Sequence, residues 1–212
     1  MSEEISYTYK AADGGRIRVI VEPSFSQANV CRFIVSPPLY PEGGVHFGSK
    51  SNASASPLAE ALFELGDVSE ILIADNAVTI TTEEPKEWGQ YAETVAKIIR
   101  DQINSGIPAV SPSYTETLPS SEEIRQKVQE IIDTAINPAV ASHGGLVTLL
   151  DVKGNNVFLE FGGGCQGCGM VSVTLKYGVE KLLRDRIPEL GQVLDTTDHA
   201  AGTNPYYAPA SK

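Results

Sequence analysis

Apolar and β-branched residues alternate with polar ones in "RIRVIVEP" (16–23), which predicts a strand. "NVCRFIVSPP" (29–38) predicts a second, stopped by its two prolines, and everything before Gly15 reads as a loose lead-in. "LYPEGGVHFGSKSNASA" (39–55) reads as a loop. In "SPLAEALFEL" (56–65) Ser56 is placed to cap a helix and Pro57 to begin it. Leu58, Leu62 and Leu65 share one face, with Ala61 alongside, and Gly66 ends the helix. "SEILIADNAVTITT" (69–82) predicts two strands about a tight Asp75-Asn76 turn. "EEPKEWGQYAETVAKIIRDQINS" (83–105) is helical, with Trp88, Tyr91, Val95, Ile98, Ile99 and Gln102 at helical spacing. That stripe assigns Trp88 and Tyr91 to the core rather than to a binding surface. The predicted order is ββαββα, an α+β sandwich over 16–106.

A second pattern begins at Ser120, which stands three residues before Glu123 in the spacing of a capping box. Ile124, Val128, Ile131, Ile132 and Ala135 continue one helical face toward Pro138. "LVTLLDVKG" (146–154) and "NNVFLEFGG" (155–163) form a hairpin turned at Gly154-Asn155-Asn156. A helix from about Met170 to Arg186 follows, with Val171, Leu175, Val179, Leu182 and Leu183 inward, and "GQVLDTT" (191–197) is a candidate last strand. The order is αββαβ over 120–198. Between the halves, "SGIPAVSPSYTETLPS" (105–120) carries three prolines and no lasting period, so 107–119 is predicted to be an interdomain linker with the boundary near 112. Residues 1–15 are expected to be a flexible start and 199–212 a polar tail. The chain as a whole is expected to be two small α+β domains, without internal repeats.

Composition narrows the partners. The net charge is −11, and neither half is basic: residues 1–110 carry 8 cationic and 15 anionic groups, residues 111–212 carry 8 and 12. A phosphate backbone would be repelled on average, so nucleic acid is not an expected partner. No apolar run approaches a membrane span, and "MSEEISYTYK" has neither signal nor transit character. Three cysteines make a disulfide framework a poor expectation, and a reducing bacterial cytoplasm the expected compartment.

Those cysteines carry the candidate chemistry. Cys31 lies inside a predicted strand beside Phe33 and Val35 and is read as a buried apolar side chain. Cys165 and Cys168 form a CxxC in "EFGGGCQGCGM" (160–170), between the end of a strand and the start of a helix. Free N–H groups and the positive end of the helix dipole lower the cost of a thiolate there. Gly162, Gly163, Gly164, Gly167 and Gly169 permit backbone to approach an inorganic group closely and to turn N–H donors toward sulfur. Iron–sulfur clusters commonly take four thiolates, and one chain offers two. His46, His143 and His199 stand at no recognised metal spacing from the pair. Two chains meeting about a two-fold axis supply four thiolates, and a cluster held at such a junction is releasable, which favours carriage over electron transfer. Three rivals share the motif: a thiol–disulfide oxidoreductase, a zinc-bridged structural protein, and an interaction module whose CxxC is incidental. The oxidoreductase would want a βαβ context where this loop follows a hairpin. No nucleophile–base set and no phosphate-binding fingerprint is present, so no catalytic turnover is expected.

The stretch "HGGLVTLLDVKGNNVFLEFGGGCQGCGMVSVTLKYGVEKLL" resembles the C-terminal domain of the NifU-like (Nfu) iron–sulfur scaffold and carrier family: His-Gly-Gly, a hairpin, Gly-Gly-Cys-x-x-Cys, then Thr-Leu-Lys. "SPLAEALFEL", a strand pair and a Trp-containing helix resemble the Nfu N-terminal domain, although "EPSFSQAN" stands where members carry a Thr-Pro-Asn-Pro-Asn-like run. The resemblance implies that Cys165 and Cys168 ligate a [4Fe–4S] cluster across a homodimer, with [2Fe–2S] or zinc as alternative occupants. It implies receipt of the cluster from upstream assembly machinery and passage to apo iron–sulfur clients, which the N-terminal half would recognise or orient.

Overall fold

The computed structural model describes residues 5–142, 144–163 and 169–196, with the backbone alone at 42, 163 and 169–174. It divides into two compact units between Leu118 and Pro119. Among the described residues, no helix is long and apolar enough to cross a membrane.

The first unit is built on a six-stranded antiparallel sheet in the order β1-β2-β3-β6-β5-β4. The strands are β1 (Ile5–Lys10), β2 (Arg16–Pro23), β3 (Val30–Ser36), β4 (Tyr40–Phe47), β5 (Val68–Asp75) and β6 (Ala77–Thr82). One sheet face packs on α1 (Pro57–Phe63) and α2 (Trp88–Ser105) around Ile17, Val19, Phe33, Leu58, Leu62 and Ile99. Ser56 caps α1 as its position predicts, accepting a hydrogen bond from the Ala59 amide at 3.0 Å. Trp88 is a core residue: its ring meets Phe33 edge-on and its Nε1–H donates to the Ala28 carbonyl.

Four expectations are corrected here. The lead-in is not loose from residue 5, because Ile5, Tyr7 and Tyr9 turn toward the core side while β1 pairs along β2. The segment after Pro38 is not a loop: β4 is an edge strand, which tolerates Pro41, and the register slip between Tyr40 and Gly44 absorbs its irregular sequence. In α1 the inward alanine is Ala59, and Ala61 is exposed. The proline-rich stretch does not link; it packs onto the first unit. Ala109 and Val110 are buried, Ser56 Oγ donates to the Ala109 carbonyl at 2.5 Å, and the Ser111 amide donates to the Ala55 carbonyl. A turn of helix, α3 (Pro112–Thr115), follows, with Thr115 Oγ1 3.0 Å from the Tyr40 hydroxyl. Its carbonyls and apolar pair have partners, so the division falls at Leu118 and not near 112.

The second unit is a three-stranded sheet, β7 (Gly145–Lys153), β8 (Asn156–Gly163) and β9 (Val193–Asp195), in that order. Helices α4 (Ser121–Ile131) and α6 (Gly169–Arg186) supply Ile124, Val128, Val179 and Leu183 to a core with Val147, Val157 and Leu159. The Ser120–Glu123 capping box is fully formed. The hairpin turns at Gly154-Asn155, and the buried Asn155 amide donates to the Glu189 carbonyl at 2.7 Å. β9 runs parallel to β8. The first helix of this unit carries Pro138 near its end, as expected. Proline has no N–H for the preceding turn, and the helix widens into a π turn over Ile132–Ile136, where the Asn137 amide reaches the Ile132 carbonyl. It then continues as α5 (Asn137–Ala141).

Candidate metal centre

Cys165, Cys168, Gly164 and Gly167 lie outside the described residues, as do His143 and His199. Their setting is described on both sides. Gly163 is the last residue of β8 and Gly169 the first of α6, so the CxxC occupies a five-residue strand-to-helix passage. α6 is 18 residues long, with Arg184 and Arg186 in its last turn, where cations suit the negative end of the dipole. Its opposite end, rich in unpaired N–H groups, begins one residue after Cys168.

The position of that passage is set by β7. Gly145 pairs with Gly163 and Leu146 with Gly162, so the start of β7 fixes the end of β8. The chain enters β7 through Gly144 at φ +67°, a backbone that favours glycine. Gly162 does not share that necessity: a Cβ there would meet the Leu146 carbonyl at 3.8 Å, an ordinary contact.

Asn137 is the residue that sequence reasoning passed over. Its Oδ1 accepts from the Val147 amide at 2.8 Å and its Nδ2 donates to the Val147 carbonyl at 3.1 Å. One side chain thus satisfies both backbone groups, as a neighbouring strand would. The signal in the sequence is an Asn-Pro pair inside an apolar-periodic helix. On the other side, Lys176 of α6 forms an ion pair with Asp195 of β9 and lies 6.0 Å from the centre of the Phe161 ring. The Thr196 amide donates to the Leu159 carbonyl at 2.8 Å, extending the clasp on β8.

The other candidates are held apart from this site. Cys31 is fully buried in β3, and burial pushes its thiol up to about 12, so it stays protonated and inert at neutral pH. His46 sits on β4 with Nε2 3.4 Å from a Glu70 carboxylate oxygen. Among the described residues, no group of three or more His, Cys, Asp and Glu gathers in a metal-binding arrangement.

The sequence sets a glycine-flanked CxxC between the last residue of β8 and the first of α6, in the second of two separate α+β units. The chain carries a NifU-like domain and an Nfu N-terminal domain. The model for the NifU-like domain matches residues 128–194, and that for the scaffold protein Nfu/NifU N-terminal domain matches residues 23–106. Fe/S biogenesis protein NfuA of Pseudomonas aeruginosa (strain LESB58) is 55% identical over 97 residues, covering 45% of this chain and 48% of the relative. The protein of the same name from Pseudomonas savastanoi pv. phaseolicola is 41% identical over 120 residues, covering 54% and 61%. The chain thus spans about half the length of these relatives. The solution structure of a NifU-like protein from Saccharomyces cerevisiae aligns over 53% of this chain and 90% of its own, at 14% identity and a TM-score of 0.36.

Proposed function

We propose that this protein is an iron–sulfur cluster scaffold and carrier. Cys165 and Cys168 of two copies hold one [4Fe–4S] cluster, which is cargo, passed on to apo iron–sulfur proteins after receipt from assembly machinery. One observation carries the reading: a NifU-like domain presents two thiols, half of a four-thiolate shell, in a strand-to-helix passage. The relatives' naming as Fe/S biogenesis proteins agrees with it. The helix start favours thiolates and an anionic cluster, the glycines give it backbone to lie against, and sharing between copies makes release a matter of separating them. The first unit serves client recognition. No step calls for a general acid or base, so the protein is not an enzyme in this reading.

Anaerobic reconstitution of the full chain with iron and sulfide tests it. The expected product is a brown dimer with about four irons per pair, which loses its iron in Cys165→Ser or Cys168→Ser and keeps it in Cys31→Ala. A single chain retaining a cluster unaided would overturn the proposal. So would a colourless dimer holding zinc after full reconstitution, or a colourless monomer that reduces insulin disulfides.

A further inference from the structure

The sheet of the first unit has a second face, and its charge is unlike that of the rest of the chain. Helices α1 and α2 cover the side of Ile17, Val19 and Val21; Arg16, Arg18 and Ile20 of β2 point the other way. Cross-strand register sets their neighbours. Arg16 stands opposite Lys10, Arg18 lies between Thr8 and Ser36, and Ile20 is opposite Ile34. The unit has eight cationic residues in all, and Lys10, Arg16, Arg18 and Arg32 are on this face. Among the acidic residues of the unit whose side chains are described, Glu22 and Glu70 are on it, and Asp75 lies close enough to Arg32 to favour its charge. Glu22 is engaged, with its carboxylate 3.8 Å from Arg32.

Two features argue that the stripe is for binding. Like charges directly opposite one another in a sheet, as Lys10 and Arg16 are, destabilise it, so the fold gains nothing from the arrangement. The arginines also border a concavity of about 370 Å³, lined by Thr8, Arg16, Arg18, Ile20, Ile34 and Ser36 among others: cations and hydroxyls at one end, branched apolar side chains at the other.

We propose that this face docks an extended acidic segment of a partner protein. Arg16 and Arg18 are two residues apart on a strand, about 7 Å, which equals the spacing of carboxylates at alternate positions of an extended peptide. The next side chain on the same side of that peptide falls over Ile20 and Ile34 and is apolar. The recognised pattern is therefore acidic, any, acidic, any, apolar. A membrane or a nucleic acid fits less well: the stripe is short, its apolar half faces a concavity, and a surrounding chain of net charge −11 repels any polyanion that extends beyond it. On the carrier reading above, the partner is a client, but the docking itself requires no cluster.

The test uses the full chain carrying Cys165→Ser and Cys168→Ser, so that docking and cluster carriage succeed or fail separately. The probe is a fluorescein-labelled Leu-Ser-Glu-Ser-Glu-Ser-Leu peptide, which presents the pattern in either direction, followed by anisotropy at low salt. Saturable binding is expected, weakened about tenfold or more by Arg16→Glu with Arg18→Glu, since two attractions become two repulsions, and weakened by added salt. Lys50→Glu with Lys97→Glu changes net charge equally on other surfaces and is expected to leave binding intact. Arg16→Gln with Arg18→Gln gives a milder loss and serves if the reversal disturbs the circular dichroism spectrum. Equal binding of a peptide with glutamine for glutamate overturns the proposal, as does equal weakening by both double reversals. Stripe-dependent binding of phosphatidylserine vesicles or duplex DNA, without binding of the peptide, also overturns it.

Discussion

Removing the Asn137 side-chain amide tests how the candidate centre is positioned. In Asn137→Ala, the Val147 amide and carbonyl each lose a partner, at 2.8 and 3.1 Å. Val147 is itself 1% exposed, so water reaches its backbone poorly. A buried group left unpaired costs roughly 1–3 kcal/mol; two groups at a site only partly closed to water cost together about 2 kcal/mol, or about thirtyfold in local opening. Hydrogen exchange by mass spectrometry on the full chain reads this directly. Peptides across β7, and the end of β8 that pairs with it, are expected to exchange about thirtyfold faster, while β1–β6 are unchanged. Iron bound after reconstitution is expected to be released sooner, although Asn137 is no ligand. Asn137→Asp keeps the acceptor but sets a carboxylate against the Val147 carbonyl, and is expected to resemble alanine at neutral pH. Unchanged exchange in β7 of Asn137→Ala would refute the claim that this side chain stands in for a strand.

Three further outcomes follow from contacts in the two units. Ser56→Ala removes both the α1 cap and the bond to Ala109, so it is expected to cost the first unit about 1–2 kcal/mol and to speed proteolytic cleavage within 107–118. Burial pushes the Asp67 carboxyl up, but hydrogen bonds from Lys86 and Tyr91, with the Lys86 charge, hold it below its ordinary 3.8. Its contribution is therefore complete above that value and lost as the pH falls below it; acid unfolding of the first unit should be less steep in Asp67→Asn. In the second unit, burial likewise opposes and the hydrogen bond from Arg125 at 2.7 Å outweighs it for Asp151, also held below 3.8, so Asp151→Asn should flatten the acid transition of that unit alone.

Local rules were legible where one residue type settles one geometry. Ser56 with Pro57, Ser120 with Glu123, the Gly154 turn and the apolar alternation of β2 each say in the sequence what the structure shows. Elements failed to show where their support comes from elsewhere in the chain. β4 contains Pro41 and adjacent glycines and exists because β5 offers it an edge. β1 is half-polar and is fixed by β2 and by Tyr7 and Tyr9 against the α2 side. The 107–118 segment has only Ala109 and Val110 to declare its burial, and the carbonyl that holds it in place answers a serine 53 residues away. At the candidate centre, the CxxC and its strand-to-helix placement were legible, because spacing and flanking periodicity are local. The Asn137 brace was not, since an asparagine in a helix declares no partner until the sheet is built.

β2 decides where the protein can be cut. A fragment started at residue 23, at the head of the family match, forfeits Ile17, Val19 and Val21 from its interior. At roughly 2 kcal/mol for each side chain, that loss is comparable to the whole reserve of a small domain. It also bares the amides of β3 as a fresh edge for other chains to pair with. The shortest first half that keeps its own interior and its own border runs over residues 5–118.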